Sequence, residues 1–322
     1  MTKTNLFKAK KQEQELHILG TGHNISINVL PEFVKEFVMN HDILVLENQD
    51  VLTPISDQEL RDCKFLLNGG SAALLLFSEE QRKVIKEKIK PYLDFKNTEI
   101  ELVDQLNVSG LLQLYQMALY FENGMDYSIL RNFLGNKKTI QGLETRLEVV
   151  KSMEVTYSED DLISLVNSSS NKLTSKIHDF IRCEFYLNNL KNDGDDGDIS
   201  SLELDLETRN NNWLPKIMKL NLSSIICIGV EHLFYQYGIL SKLASDGYKI
   251  ERMSSYGQFT DVESKTILQG IKQVTLEEDN QIAVQCLKKL SVEEVTSFQQ
   301  EYPHVFSQEI VEALGDIVKD YL

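Results

Sequence analysis

Residues 42–47, Asp-Ile-Leu-Val-Leu-Glu, hold four apolar residues in an unbroken run between two acids. A strand wetted on one face alternates polar and apolar residues. An unbroken run suits a strand covered on both faces, the condition of a parallel sheet flanked by helices. An earlier strand is expected over residues 15–19, and Pro31 then opens a helix with Phe33, Val34, Phe37 and Val38 at helical spacing. Strand, helix, strand is a βαβ unit, which implies a parallel pair. The order returns at 224–252: a strand over 224–228, a turn, a helix ending at Gly247 and a strand over 248–252. The expected fold class is therefore α/β, a central mostly parallel sheet built from two βαβ units related by pseudo-duplication.

Between these units the pattern is helical. Ser78 caps a helix that should end near Pro91, residues 103–121 form another, and 137–144 reads as a short strand ending on an acid. Two more helices are expected over 158–190, the second striped by Leu173, Ile177, Phe180 and Ile181. The stretch 191–198, Lys-Asn-Asp-Gly-Asp-Asp-Gly-Asp, lacks the order of a calcium loop and reads as a solvated linker. A helix carrying Leu202, Leu206, Trp213 and Ile217 on one face follows, and Pro215 should kink or restart it. Residues past about 255 look mainly helical, with Ser291 starting one helix. The expected organisation is a tail over 1–14, a main domain over 15–254 and a helical extension over 255–322. The main domain carries a helical insert at about 58–190 and an acidic linker at about 191–200.

A net charge of −16 excludes nucleic acid and anionic membrane surfaces as partners, since both require a basic face. The four cysteines are far apart and form no CxxC pair, which fits a reducing compartment. No apolar stretch reaches the length of a membrane span and the N-terminus has no apolar signal core, so a cytoplasmic protein is expected.

The two βαβ units share a signature. Gly20-Thr21-Gly22-His23 follows the first strand and Gly229-Val230-Glu231-His232 follows the later one. Both are Gly-x-x-His at the carboxyl end of a strand, the edge where open α/β sheets bind ligands. A dinucleotide loop would need a third glycine where Ile25 stands, so phosphate binding is disfavoured. There is neither HExxH nor Gly-x-Ser-x-Gly. Two histidines and the strand-end acids Glu47 and Glu144 remain. Imidazole nitrogen and carboxylate oxygen suit Mn²⁺, Co²⁺ or Zn²⁺. They equally suit a metal-free hydrolase with histidine as base and glutamate orienting it. Arg209 falls on the apolar stripe four residues before Trp213. A guanidinium there must meet an acid, a substrate carboxylate or the rim of the fold.

Five segments in order give a family resemblance: GTGH at 20–23, DILVLEN at 42–48, NGMDYSILRNFLGNKKTIQGLET at 123–145, RNNNW at 209–213 and IGVEHLFYQYGILSKLASDGYKIER at 228–252. Together they resemble the TraB/GumN family, which includes the Tiki membrane proteases. The resemblance implies an α/β domain with an internal pseudo-duplication and metal-dependent peptide hydrolysis at the strand ends. It makes His23, His232 and Glu47 the ligands of a divalent metal (Mn, Co or Zn) and adds Glu144 and Arg209 to the catalytic group. Arg209, Asn210 and Tyr235 would contact substrate. The chain departs from the pattern at Glu231, Tyr235 and Pro215, and it lacks the signal or anchor common in the family. The expected function is a Tiki-like peptidase acting on a peptide or small molecule. The alternatives are a non-catalytic peptide- or ligand-binding regulator of the pheromone-shutdown type and a non-classically secreted effector. The C-terminal helices would dock a protein partner.

Overall fold

A computed structural model describes residues 4–23, 25–67, 71–153, 157–170, 199–234, 237–254 and 256–262. The chain divides into two units, Met1–Leu165 with Asp196–Gly270 and Val166–Asp195 with Ile271–Leu322. The sheet and the site below belong to the first.

Seven strands form one sheet: β1 (Leu6–Lys11), β2 (Gln14–Thr21), β3 (Ile43–Asn48), β4 (Thr139–Glu144), β5 (Ser224–Gly229), β6 (Lys249–Met253) and β7 (Phe259–Asp261). Their order is β4-β3-β5-β2-β1-β6-β7. The pairs β3–β4, β3–β5 and β2–β5 are parallel, whereas β1–β2, β1–β6 and β6–β7 are antiparallel. The fold is α/β with a parallel core, as the unbroken apolar runs require. The strands of each βαβ unit are nevertheless not neighbours. β5 separates β2 from β3, and β1 and β2 separate β5 from β6. The reason is burial. Every residue of β5 is buried and Ile225 to Ile228 are fully enclosed, so this strand suits an interior position between parallel partners, as β3 also has.

Residues 6–11, assigned to a tail on sequence grounds, form β1 inside the sheet with Leu6, Phe7 and Ala9 buried. Residues 259–261, expected within a helical extension, form β7 instead. The second of the two helices expected over 158–190, the acidic linker up to residue 198, Tyr235, Ser291 and everything past residue 262 lie outside the described residues, whereas residues 199–200, also assigned to the linker, begin a helix.

The helices in the described residues are α1 (Glu32–Met39), α2 (Asp57–Asp62), α3 (Glu79–Phe95), α4 (Val108–Asn123), α5 (Met125–Gly135), α6 (Arg146–Met153), α7 (Glu159–Ser170), α8 (Ile199–Ile217) and α9 (Ile239–Ser245). Ser78 starts α3 with a full capping box. Neither proline breaks its helix. α3 continues past Pro91 because Tyr92 and Leu93 are buried in the next turn, and α8 passes Pro215 only two residues before it ends. α5 packs on β3 and β4, α8 on β4, and α9 on β1 and β6. Among the described residues no helix is long and apolar enough to cross a membrane.

Gly142 in β4 marks a close approach. A side chain there would overlap the backbone of Gln49, whereas one at Gly135 would meet open space. Gly142→Ala is expected to cost about 1–3 kcal/mol through overpacking. Gly135→Ala should be neutral or gain up to about 1 kcal/mol, since alanine is the better helix former. Urea unfolding of the two variants gives opposite signs if this register is right.

Candidate functional site

Parallel pairing brings the carboxyl ends of β2, β3, β4 and β5 to one edge. Glu47 comes from β3 and Glu144 from the last position of β4. β2 hands the chain through Gly22 to His23, and β5 ends at Gly229 before the 3-10 turn Val230–His232. In register, Thr21 opposes Gly229, so the two Gly-x-x-His turns are staggered by one residue. They converge all the same. A Cβ added to Gly229 would lie 3.6 Å from His23 Nε2, 3.6 Å from His232 Cδ2 and 3.1 Å from Glu47 Oε1. Gly229 is thus the point around which both histidines and the acid are gathered. Its N–H donates to Glu47 Oε1 at 2.5 Å.

Arg209 ties the acids together. Its Nη2 donates to Glu47 Oε2 at 2.9 Å and to Glu144 Oε1 at 2.5 Å, and its Nε donates to Glu144 Oε1 at 3.0 Å. Trp213 Nε1 donates to the other oxygen of Glu144 at 2.9 Å, and the guanidinium lies 4.9 Å from the Trp213 ring. Arg209, Asn210 and Trp213 all come from α8, and all three are buried. The choice left open for Arg209 resolves to a pair of acids in the interior, with the indole as a third wall. Burying one cation against two carboxylates is tolerable because each oxygen that faces it is hydrogen-bonded.

The histidines are oriented from behind. His23 Nδ1 meets Asp126 Oδ2 at 2.8 Å, its ring stacks on Tyr120 with centroids 5.6 Å apart, and its Nε2 lies 3.8 Å from Glu47 Oε1. Gly124 makes this possible. A side chain there would overlap the His23 carbonyl, so glycine lets the start of α5, with Asp126 in its first turn, come against the turn after β2. His232 Nδ1 meets Asn210 Oδ1 at 2.7 Å, and its ring lies 4.3 Å from that of Trp213. The Asn210 amide nitrogen donates to the carbonyls of Tyr237 (2.9 Å) and His232 (3.3 Å), which fixes the amide oxygen toward the imidazole. An acceptor facing each Nδ1 holds a proton there, so that each ring, when neutral, carries its lone pair on Nε2.

The charges follow from this packing. Burial opposes a charge on His23, but Asp126, then Glu47 and Glu231, outweigh it and raise its pKa to about 9. Burial likewise opposes the Glu47 carboxylate, yet His232, His23, Arg209 and the Gly229 N–H bring it down to about 2. His232 is held neutral, its pKa lowered to about 3 by burial, with Arg209 and His23 adding to the effect against Glu47. Burial, with Glu47 nearby, raises Glu144 despite Arg209 and Trp213.

In chemical type, two imidazole nitrogens and a carboxylate oxygen fit a divalent transition metal. Among the described residues no three His, Cys, Asp or Glu side chains are already spaced to hold one. Glu47 would have to exchange its bond to Gly229 for the ion. The site faces a cavity of about 370 Å³ whose lining includes His23, Glu47, Asp126 and Arg209 at one end and Leu46 and Met117 along the wall.

Of the residues singled out in the sequence, His23, Glu47, Glu144, Arg209, Asn210 and His232 are brought together. Sequence reasoning missed Asp126, Tyr120 and the polar role of Trp213. Asp126 stood inside the NGMDYS segment, and an acid two residues after a glycine at a helix start was its only signal.

A parallel-cored α/β protein with a charge-locked polar site at the carboxyl sheet edge is the class that this geometry defines. Residues 5–252 match the model of the TraB/PrgY/gumN family, and the chain belongs to that family. No curated protein and no solved structure matches it.

Three outcomes are expected. Arg209→Met strands two buried carboxylates and should cost about 3–5 kcal/mol by chemical denaturation. The second is a stability maximum near pH 6–7 in metal-free protein. His23, raised to about 9, contributes below its ordinary 6.5 and loses that contribution as pH rises through 9. His232, lowered to about 3, contributes above 6.5 and fades as pH falls toward 3, while Glu47 is lost between 4.5 and about 2. Asp126→Asn should move the His23 titration down toward 6.5, read by NMR.

Proposed function

We propose that this protein is a hydrolase of peptide-like bonds, with its reacting centre beside Gly229. The observation that carries the reading is the convergence of His23 Nε2, His232 and Glu47 on that point, each held from behind by a separate partner. His23 Nε2, His232 Nε2 and Glu47 would hold a divalent ion, Mn²⁺, Co²⁺ or Zn²⁺. Such an ion supplies an acidified water and a polarised substrate carbonyl. The chain's own groups do the rest. Asp126 keeps the His23 proton on Nδ1, and Asn210 does the same for His232. Arg209 holds Glu47 and Glu144 in place and keeps Glu47 ionised beside the reacting position. The apolar wall of the cavity excludes water from the substrate.

One observation favours a second reading, that of a non-catalytic binder of peptides or small ligands. Both oxygens of Glu47 are already engaged, by Gly229 and Arg209, so this carboxylate is not free to act as a base. Calorimetric titration with Mn²⁺ and Co²⁺ should give one equivalent bound with release of a proton from His23. His23→Ala and His232→Ala should abolish that binding, and Asp126→Asn should weaken it about 10–100-fold. Incubation of a mixed peptide pool with the metal-loaded protein should give products of lower mass. Peptide retained at unchanged mass selects the binder, and absence of stoichiometric metal together with indifference to both histidines overturns the hydrolase.

A further inference from the structure

Lys96 lies outside the histidine–carboxylate cluster but lines the same cavity. It is the residue that ends α3 and is only 1% exposed. Its Nζ donates to the carbonyls of Asp50 at 2.6 Å and Val51 at 3.0 Å, in the turn that follows β3. The Asp50 carbonyl also accepts from Arg146 Nη2 at 3.1 Å, so an amine and a guanidinium meet at one oxygen. The nearby carboxylates are turned to Arg146. Glu59 Oε1 accepts from its Nη1 at 2.5 Å, and Asp50 Oδ2 accepts from its backbone N–H at 2.9 Å. Lys96 makes no ion pair among the described residues.

A buried ammonium beside a guanidinium, with no carboxylate in contact because Glu59 and Asp50 are bonded to Arg146, favours the neutral amine. A neutral amine has two N–H bonds and one lone pair. The two carbonyls use both N–H bonds, so the lone pair is the valence left for a molecule in the cavity. The lining of that cavity also includes Leu60, Leu102 and Leu106, which suit an apolar body.

We propose that Lys96 is a reactive amine that captures an apolar aldehyde from the cavity as an imine. The nitrogen lone pair forms a bond to the carbonyl carbon. The carbonyl oxygen takes up the two amine protons and leaves as water, and the C=N bond closes without an oxidant or reductant. Burial, with Arg146 adding to it against Glu59 and Asp50, lowers the Lys96 pKa to about 7. An exposed lysine near 10.4 is neutral in roughly one molecule per few thousand at pH 7, so Lys96 starts with an advantage of about a thousandfold.

The test uses the full chain, hexanal at low concentration and cyanoborohydride to fix the imine, followed by peptide mapping. At pH 7 the first equivalent should fall on Lys96, at least about 100-fold faster than on the exposed Lys83 and Lys90. Labelling of Lys96 should rise through pH 7. Glyoxylate, which is small and anionic, should lose the preference for Lys96. Lys96→Arg should remove the fast phase. If that variant does not fold, the site-resolved comparison within the wild-type chain still decides. Adducts on Lys83 and Lys90 with Lys96 unlabelled at pH 7 overturn the proposal. This result is independent of metal binding and peptide cleavage, so the hydrolase reading stands or falls separately.

Discussion

One guanidinium shared by two carboxylates is the interaction on which the site rests. Arg209 reaches Glu47 at the end of β3 and Glu144 at the end of β4, and it does so from α8, a helix that packs against β4. A cation at that depth is stable only with its partners in place, and the partners are stable only with the cation. The three residues therefore fix the helix and the two strand ends as a unit. Trp213 completes it by bonding the oxygen of Glu144 opposite the guanidinium.

The same arrangement divides the protons. Glu47 and Glu144 face one cation and separate in acidity, with Glu47 held ionised and Glu144 raised. The two histidines separate in the same way. His23 faces Asp126 and carries a proton, whereas His232 faces a neutral amide and a ring and stays neutral. Two residues that look equivalent in the sequence are therefore chemically different. Their partners differ because one is backed by the start of α5 and the other by the buried face of α8.

The cavity joins two kinds of polar chemistry across an apolar wall. At one end are His23, Glu47 and Arg209. At another is Lys96, held by backbone carbonyls and crowded by Arg146. Both are products of helices closing over the carboxyl edge of the sheet. The apolar wall raises the cost of each unpaired charge there and strengthens each hydrogen bond.

The sequence by itself determined the elements and most of the polar cast. The apolar runs at 42–47 and 224–228 could only be strands covered on both faces. The glycines after β2 and β5 marked the edge, and Arg209 on an apolar stripe had to find an acid. Local pattern fails where the deciding term is non-local. The sheet order depends on which strand buries the most surface, so β5 moved between β2 and β3. β1 was read as a tail although Phe7, Lys8, Ala9 and Lys10 alternate, because so short a run is held only by pairing with β2 and β6. Pro91 was read as the end of its helix, but packing of Tyr92 and Leu93 in the following turn outweighed the lost backbone bond. Asp126 became part of the site only because α5 packs against the turn after β2, 103 residues away in sequence. Residue type and spacing fix what a segment can be. Which segments meet, and so which acid orients which histidine, is decided by the burial of the assembled sheet.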